Sequence, residues 1–216
     1  MATNVSSMKV IAKQNIKKGD EITIQYTSPS YGHLKRKSTL KQNWYFDCTC
    51  PRCTDPTEMK TMFSALKCST CQDCYMLPLD SMNLNSLWQC QSCNFSKSVE
   101  DVAEIIKDYE QVFEDLHDVV DVEYCERLLE DLSSKFHANH HFGKFRNSIL
   151  IRLKNTIIPF SVLVLNIKKI LADSYGTVPG YSYRQLNQDR FQKKILRYEN
   201  YINVIEKLDP GFTSVR

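Results

Sequence analysis

Two kinds of periodicity divide the chain. Near the N-terminus apolar residues alternate. Met8, Val10 and Ala12 interleave with Lys9, Ile11 and Lys13, and Ile22, Ile24 and Tyr26 repeat the two-residue step. This predicts strands with one buried face. Lys17-Lys18-Gly19-Asp20 between them reads as a hairpin-like turn, with Gly19 supplying the left-handed backbone angle. From Ser98 the step lengthens. Val99, Val102, Ile105, Ile106, Tyr109, Val112, Phe113 and Leu116 recur at three and four residues, and Cys125, Leu128, Leu129, Leu132 and Phe136 do so again. A third helix, Phe191–Leu208, places Ile195, Tyr198, Tyr201, Ile202 and Ile205 on one side. Ser98-x-x-Asp101 reads as a capping box, with Asp in place of Glu or Gln. The fold class is α+β, and helices of this kind must stack in pairs, because none buries its face alone.

The middle of the chain follows neither period and is marked by cysteine instead. Of nine cysteines, eight fall between Cys48 and Cys93. Cys48-x-Cys50-x2-Cys53 brings three thiols together behind the aromatic run Trp44-Tyr45-Phe46, so a tight knuckle turns three sulfurs toward one point. Zinc favours such thiolates at about 2.3 Å, in a closed tetrahedron when structural. Three ligands leave a fourth to be found. Cys68-x2-Cys71 and Cys90-x2-Cys93 lie eighteen residues apart, within the spacing of a four-thiolate zinc site. Cys74 is supernumerary: it shifts the first pair to Cys71/Cys74, completes the upstream site, or is uninvolved, the last being preferred. Cys125 sits on an apolar helix face and reads as a buried thiol. His137 and His141 are four apart but have no thiol or carboxylate close in sequence, and they read as a helix junction rather than ligands.

Composition narrows the class. A net charge of +3 is too small to argue for nucleic acid. The basic run His33–Lys41, the acid-rich Glu100–Glu130 and the basic Gln185–Arg197 read as solvated faces. The N-terminus lacks the apolar core of a secretory signal, so clustered cysteines point to metal rather than disulfides. The longest apolar run, Ile157–Leu165, is too short for a membrane span and carries Pro159. The expectation is a soluble protein of the cytoplasm, the nucleus or both.

Val10-Ile11-Ala12, Ile16–Thr23, Tyr26, Arg36, Leu40, Trp44, Phe46 and the Cys48, Cys50, Cys53 knuckle together resemble the SET-and-MYND family of lysine methyltransferases, especially its divergent arthropod branch. The resemblance continues through the Cys68/Cys71 pair, Trp88-x-Cys90-x2-Cys93, the His137-x-Asn139-His140 turn and Leu208-Asp209-Pro210-Gly211. It implies that residues 1–46 are the last part of a SET domain, a small β remnant. Residues 47–97 would be a post-SET and zinc-binding region, and 98–216 an all-α domain of tetratricopeptide-like helix pairs. It also implies Tyr26 as the catalytic tyrosine, its phenol beside the transferred methyl, and Phe46 as a wall of the cofactor and lysine channel. Packing within a core is the other reading of Tyr26, and both stay open.

By the same resemblance the S-adenosylmethionine glycine motif, the MYND module and the knuckle's fourth thiolate belong upstream of Met1. The expectation is a C-terminal piece that is inactive alone. Thr156–Ile167 exceeds the family pattern and reads as an added core element or as translated intron. The implied activity is S-adenosylmethionine-dependent methylation of a protein lysine, on a histone or another chromatin protein, with zinc as resident metal. A non-catalytic, zinc-stabilised interaction or transcriptional-regulation module is the alternative. Direct nucleic-acid or membrane binding is not expected.

Overall fold

The computed structural model describes residues 10–12, 15–71, 73–114, 122–140 and 163–210. Helix α1 (His33–Thr39) runs on through a wider π turn, Leu40–Trp44, and stops at Tyr45, whose φ of 59° is left-handed. A single turn, α2 (Pro51–Thr54), has proline at its first position, where a missing N–H costs nothing. Four short strands follow: β1 (Leu66–Lys67), β2 (Tyr75–Pro78), β3 (Trp88–Cys90) and β4 (Ser96–Lys97). Then come α3 (Val99–Glu114), α4 (Val122–Lys135), α5 (Leu163–Ser174) and α6 (Gln188–Leu208). The fold is mixed α+β.

The strands form one antiparallel meander in chain order, with Leu66 opposite Met76, Met76 opposite Cys90, and Pro78 opposite Trp88. Alternation puts Leu66, Met76, Trp88 and Cys90 on the buried face, where they meet Val102 of α3, Cys125, Leu128 and Leu132 of α4, Phe136, and Leu171 of α5. Burying side chains of this size stabilises by about 1.5–3 kcal/mol each. The C-terminal end of α4 is fixed to the sheet by His137 N–H donating to Ala65 O at 3.0 Å. Consecutive helices pack, α4 on α5 and α5 on α6.

Local signals are realised as expected. The Ser98/Asp101 box closes reciprocally, with both bonds at 3.1 Å. The Lys17–Asp20 turn forms through Asp20 N–H to Lys17 O at 3.1 Å, with Gly19 at φ 98°. Cys125 is buried in the core. On α6 the buried residues are Val204, Ile205 and Leu208, packed on Phe63 together with Tyr201. Ile195 and Ile202, expected on the buried side, are 38% and 42% exposed.

The strand expectation for residues 8–26 is corrected. Residues 10–12 and 15–26 form no strand, and Val10, Ile11, Ile22 and Ile24 are exposed. An alternating pattern states which face a strand would bury, but a ladder needs a second strand, and none among the described residues pairs with this one. The sheet lies instead in the cysteine-rich middle. The basic run is a second correction. His33, Arg36 and Lys37 are buried, at 1%, 4% and 3% exposure, rather than solvated. Residues 1–9, Val112–Leu116, His141, the Thr156–Val162 part of the excess segment and Gly211 lie outside the residues or side chains described.

Candidate functional site

Two sets of thiols converge. The sulfurs of Cys68, Cys71, Cys90 and Cys93 lie within 4.8 Å of one another, and so do those of Cys48, Cys50 and Cys53. The first set is made by the sheet. Cys68 follows β1 and Cys90 ends β3, so the β1–β2 and β3–β4 turns meet at one end of the meander. Each turn aims backbone donors at sulfur. Thr70 and Cys71 N–H donate to Cys68 Sγ at 3.4 and 3.5 Å, and Ser92 N–H donates to Cys90 Sγ at 3.4 Å. The Ser92 and Cys93 N–H groups outweigh burial and pull the Cys90 pKa down to about 7, while hydrogen bonding to Cys93 and burial push Cys71 up. The Cys68–Cys93 sulfur separation is 3.7 Å. A regular tetrahedron with bonds of about 2.3 Å has edges of about 3.8 Å, so the pair fits a thiolate-bound zinc. Cys74 belongs to neither set. Its carbonyl instead accepts Cys68 N–H at 2.9 Å and closes the knuckle.

The second set is looser at the surface and tighter beneath. Cys50 is exposed, Cys48 half-buried and Cys53 buried. Cys53 and Thr54 N–H donate to Cys50 O at 2.9 and 3.1 Å, which shapes the turn. Hydrogen bonding from Cys53 lowers the Cys50 pKa to about 6, and the same bond with burial pushes Cys53 up. Cys53 also accepts from Arg36 Nε at 3.4 Å. The three thiols and this donor fit a thiolate-rich metal site with three local ligands.

Sequence reasoning missed what surrounds Arg36. Arg36 and Arg52 both reach Glu58 Oε1, at 2.6 Å from Arg36 Nη1 and 3.1 Å from Arg52 Nη2, with Glu58 fully buried. Burial opposes the charge on Arg36, but Glu58 and then Cys53 outweigh it and raise its pKa, whereas burial dominates at Arg52 and lowers it to about 10. Ser64 Oγ donates to the other Glu58 oxygen and accepts His33 N–H at 2.8 Å. The only sequence signal was a carboxylate five residues beyond the knuckle, in Asp55-Pro56-Thr57-Glu58.

Tyr26 and Phe46 do come together. Their rings meet edge to face at 5.2 Å, and Trp44 meets Tyr26 likewise at 5.1 Å. The left-handed Tyr45 lies between Trp44 and Phe46, which flank the phenol. The cluster is open, with Tyr26 43% and Trp44 51% exposed. Of the described histidines, His137 and His140 make turn and packing contacts. His137 Nδ1 accepts Asn139 N–H at 3.1 Å and its ring packs on Tyr75, while His140 packs on Phe136. A cavity of about 480 Å³ opens elsewhere, between α4 and α6, lined by Glu123, Glu126, Arg127, Tyr175, Arg190 and Lys193 among others. No described helix is long and apolar enough to cross a membrane.

Comparison with known proteins finds relatives over part of the chain. The chain is 41% identical over 86 residues to the SET domain-containing protein SmydA-8, isoform A, of Drosophila melanogaster, covering 39% of this chain and 18% of that protein. It is 35% identical over 102 residues to a SET and MYND domain-containing protein of Dictyostelium discoideum, covering 41% and 26%. With Histone-lysine N-methyltransferase SET5 of Meyerozyma guilliermondii it shares 41% over 54 residues, covering 25% and 11%. The matches span about a fifth of the two SmydA-8 isoforms, 18% and 20%. No protein-family model matches the chain, and no solved structure does. These partial matches make the chain SMYD-like: over the matched residues it is similar to SET-and-MYND domain proteins.

Proposed function

We propose that the chain forms the acceptor-side and zinc-bearing part of a protein-lysine N-methyltransferase that uses S-adenosylmethionine. The observation that carries this is the Tyr26–Trp44–Phe46 cluster, set directly before the Cys48/Cys50/Cys53 knuckle. Relatives named histone-lysine N-methyltransferases support it. In this reading the Tyr26 phenol orients the amine and stabilises charge developing in transfer. Phe46 walls the channel, and zinc at both thiol sets holds the wall in place. The substrate is a lysine of a histone or another chromatin protein, which puts the protein in the nucleus, the cytoplasm or both. Helices α4 to α6 stack as tetratricopeptide-like pairs. S-adenosylmethionine, when bound, supplies the methyl group. Among the described residues no glycine-rich turn faces Tyr26: Gly19 and Gly32 serve the first turn and the start of α1, and Gly176 and Gly180 lie between α5 and α6.

The test is transfer of radiolabelled methyl from S-adenosylmethionine to histones by the native protein. Tyr26→Phe should lower it on the order of 100-fold or more. Equal rates would remove Tyr26 from the mechanism. The 216-residue chain alone should show no saturable heat with S-adenosylmethionine; micromolar binding would place a complete cofactor site within these 216 residues. A second reading, a zinc-stabilised protein-interaction module, is favoured by the polar cavity between α4 and α6. It predicts no transfer by the native protein and unchanged partner binding in Tyr26→Phe.

A further inference from the structure

Charge is unbalanced beneath the three-thiol knuckle. Arg36 and Arg52 bring two positive charges and Glu58 one negative, all with side chains at most 10% exposed. A buried surplus of +1 is costly unless something opposite lies against it. Carbonyls cover part of the need: Tyr31 O accepts from both arginines at 3.1 and 2.8 Å, and Pro29 O accepts from Arg52 at 2.6 Å. These are dipoles and cancel no charge. Arg36 Nε also donates to Cys53 Sγ at 3.4 Å, a sulfur that becomes anionic when it ligates a metal.

The backbone is bent to make this arrangement. Glu58, Met59, Lys60 and Met62 all have left-handed φ, between 50° and 61°. Left-handed conformations cost a non-glycine residue roughly 1–2 kcal/mol each, so a run of them persists only where its surroundings hold it. Here the run turns Glu58 inward between the two guanidinium groups. It then delivers Phe63 under Arg52, whose guanidinium lies 5.3 Å from the ring, and against Val204, Ile205 and Leu208 of α6.

We propose that Arg36, Arg52 and Glu58 form a positioning knot whose surplus positive charge is the counterpart of a zinc held by Cys48, Cys50 and Cys53, so that metal binding there orders the segment from Ser28 to Ser64. The inference rests on the zinc reading of the first knuckle. Three thiolates around Zn²⁺ sum to −1, which the +1 of the knot neutralises, and a fourth thiolate would only deepen the attraction. Arg36 Nε–H supplies the hydrogen bond to ligand sulfur that outer-sphere partners commonly provide. The Cys68/Cys71/Cys90/Cys93 set has backbone N–H donors in that place.

The experiment is a chelator competition on the zinc-loaded chain, read with a chromophoric chelator. Loss of the exposed thiol in Cys50→Ser identifies which phase belongs to the first knuckle. Arg36→Met should weaken that phase about 10- to 100-fold and leave the other unchanged. Glu58→Gln raises the knot from +1 to +2 and should hold first-knuckle zinc at least as tightly as wild type. Equal weakening by both substitutions would show mere scaffolding and overturn the proposal, as would an unchanged Arg36→Met. Retention of the second zinc reports that each variant is folded. Should either variant lose both metals, amide exchange on the unmutated chain decides. Stripping the first zinc must speed exchange across residues 28–64 and spare 75–97; uniform protection overturns the coupling. A wild-type chain that, given excess zinc and no chelator, takes up metal only at the second set would overturn the zinc reading itself.

Discussion

The two thiol sets solve one chemical problem by different means. At Cys68, Cys71, Cys90 and Cys93 all four donors come from two turns of one meander, and the hydrogen bonds to sulfur come from neighbouring backbone. The site is written in the spacing of the chain. At Cys48, Cys50 and Cys53 the chain gives three donors, and the side-chain hydrogen bond to sulfur comes from Arg36, held in turn by a glutamate twenty-two residues away. A ligand set that is local closes itself. One that borrows charge from a distance depends on the packing of everything between.

That contrast is easiest to break at the second set. Cys68→Ser or Cys90→Ser should remove its metal and unfold the sheet, since structural zinc in small domains contributes roughly 10 kcal/mol or more of folding free energy. Cys50→Ser should remove only the first zinc. Metal analysis after mild chelation should give close to one zinc for wild type and for Cys50→Ser, and close to none for Cys68→Ser. Two equally held zincs in wild type would erase the asymmetry. The next effect down concerns the floor beneath the second set. Trp88 is 1% exposed and lies two residues before Cys90. Trp88→Ala should cost about 3–5 kcal/mol by denaturant unfolding and weaken the second zinc without changing the first.

Legibility followed the same line. The Ser98/Asp101 box, the Gly19 turn, the buried stripe of α4 and the four-cysteine set are each decided within a few residues, so spacing alone revealed them. The four-stranded sheet was missed because its strands are two to four residues long and no alternating pattern of that length stands out. The reverse error occurred at Ile22, Ile24 and Tyr26, where alternation was clear and no partner strand lies among the described residues. His33, Arg36 and Lys37 were misread for a physical reason as well. A helix rich in cations normally faces water. Here the partners that accept it beneath the surface are tertiary: Glu58 for Arg36, Met82 Sδ for Lys37 and Ser64 Oγ for the His33 N–H. Tyr26 and Phe46 were legible as neighbours only through family resemblance, since the left-handed turn at Tyr45 has no glycine to announce it.

The smallest expected effect lies on the seam between the two sets. His137 follows α4, its N–H bonded to Ala65 O just before β1, and Asn139 Nδ2 reaches Thr61 O at 2.9 Å on the knot's side. Burial first, then the Lys168 and Lys67 charges, lower the His137 pKa to about 4. Its unfolded value is near 6.5. Between the two the unfolded chain binds the proton that the folded chain refuses, so stability rises with pH across this window. It is complete above about pH 6.5 and lost progressively as pH falls toward 4. Discounted for the side chain's partial exposure, the effect is at most about 1–2 kcal/mol. Denaturant unfolding with zinc in excess, between pH 7 and 5.5, should therefore show a positive slope that His137→Gln flattens. Both zincs should remain bound through that range in the variant and the parent alike. A slope that survives His137→Gln would assign the acid sensitivity to another group, and His137 would then carry none of the pH dependence.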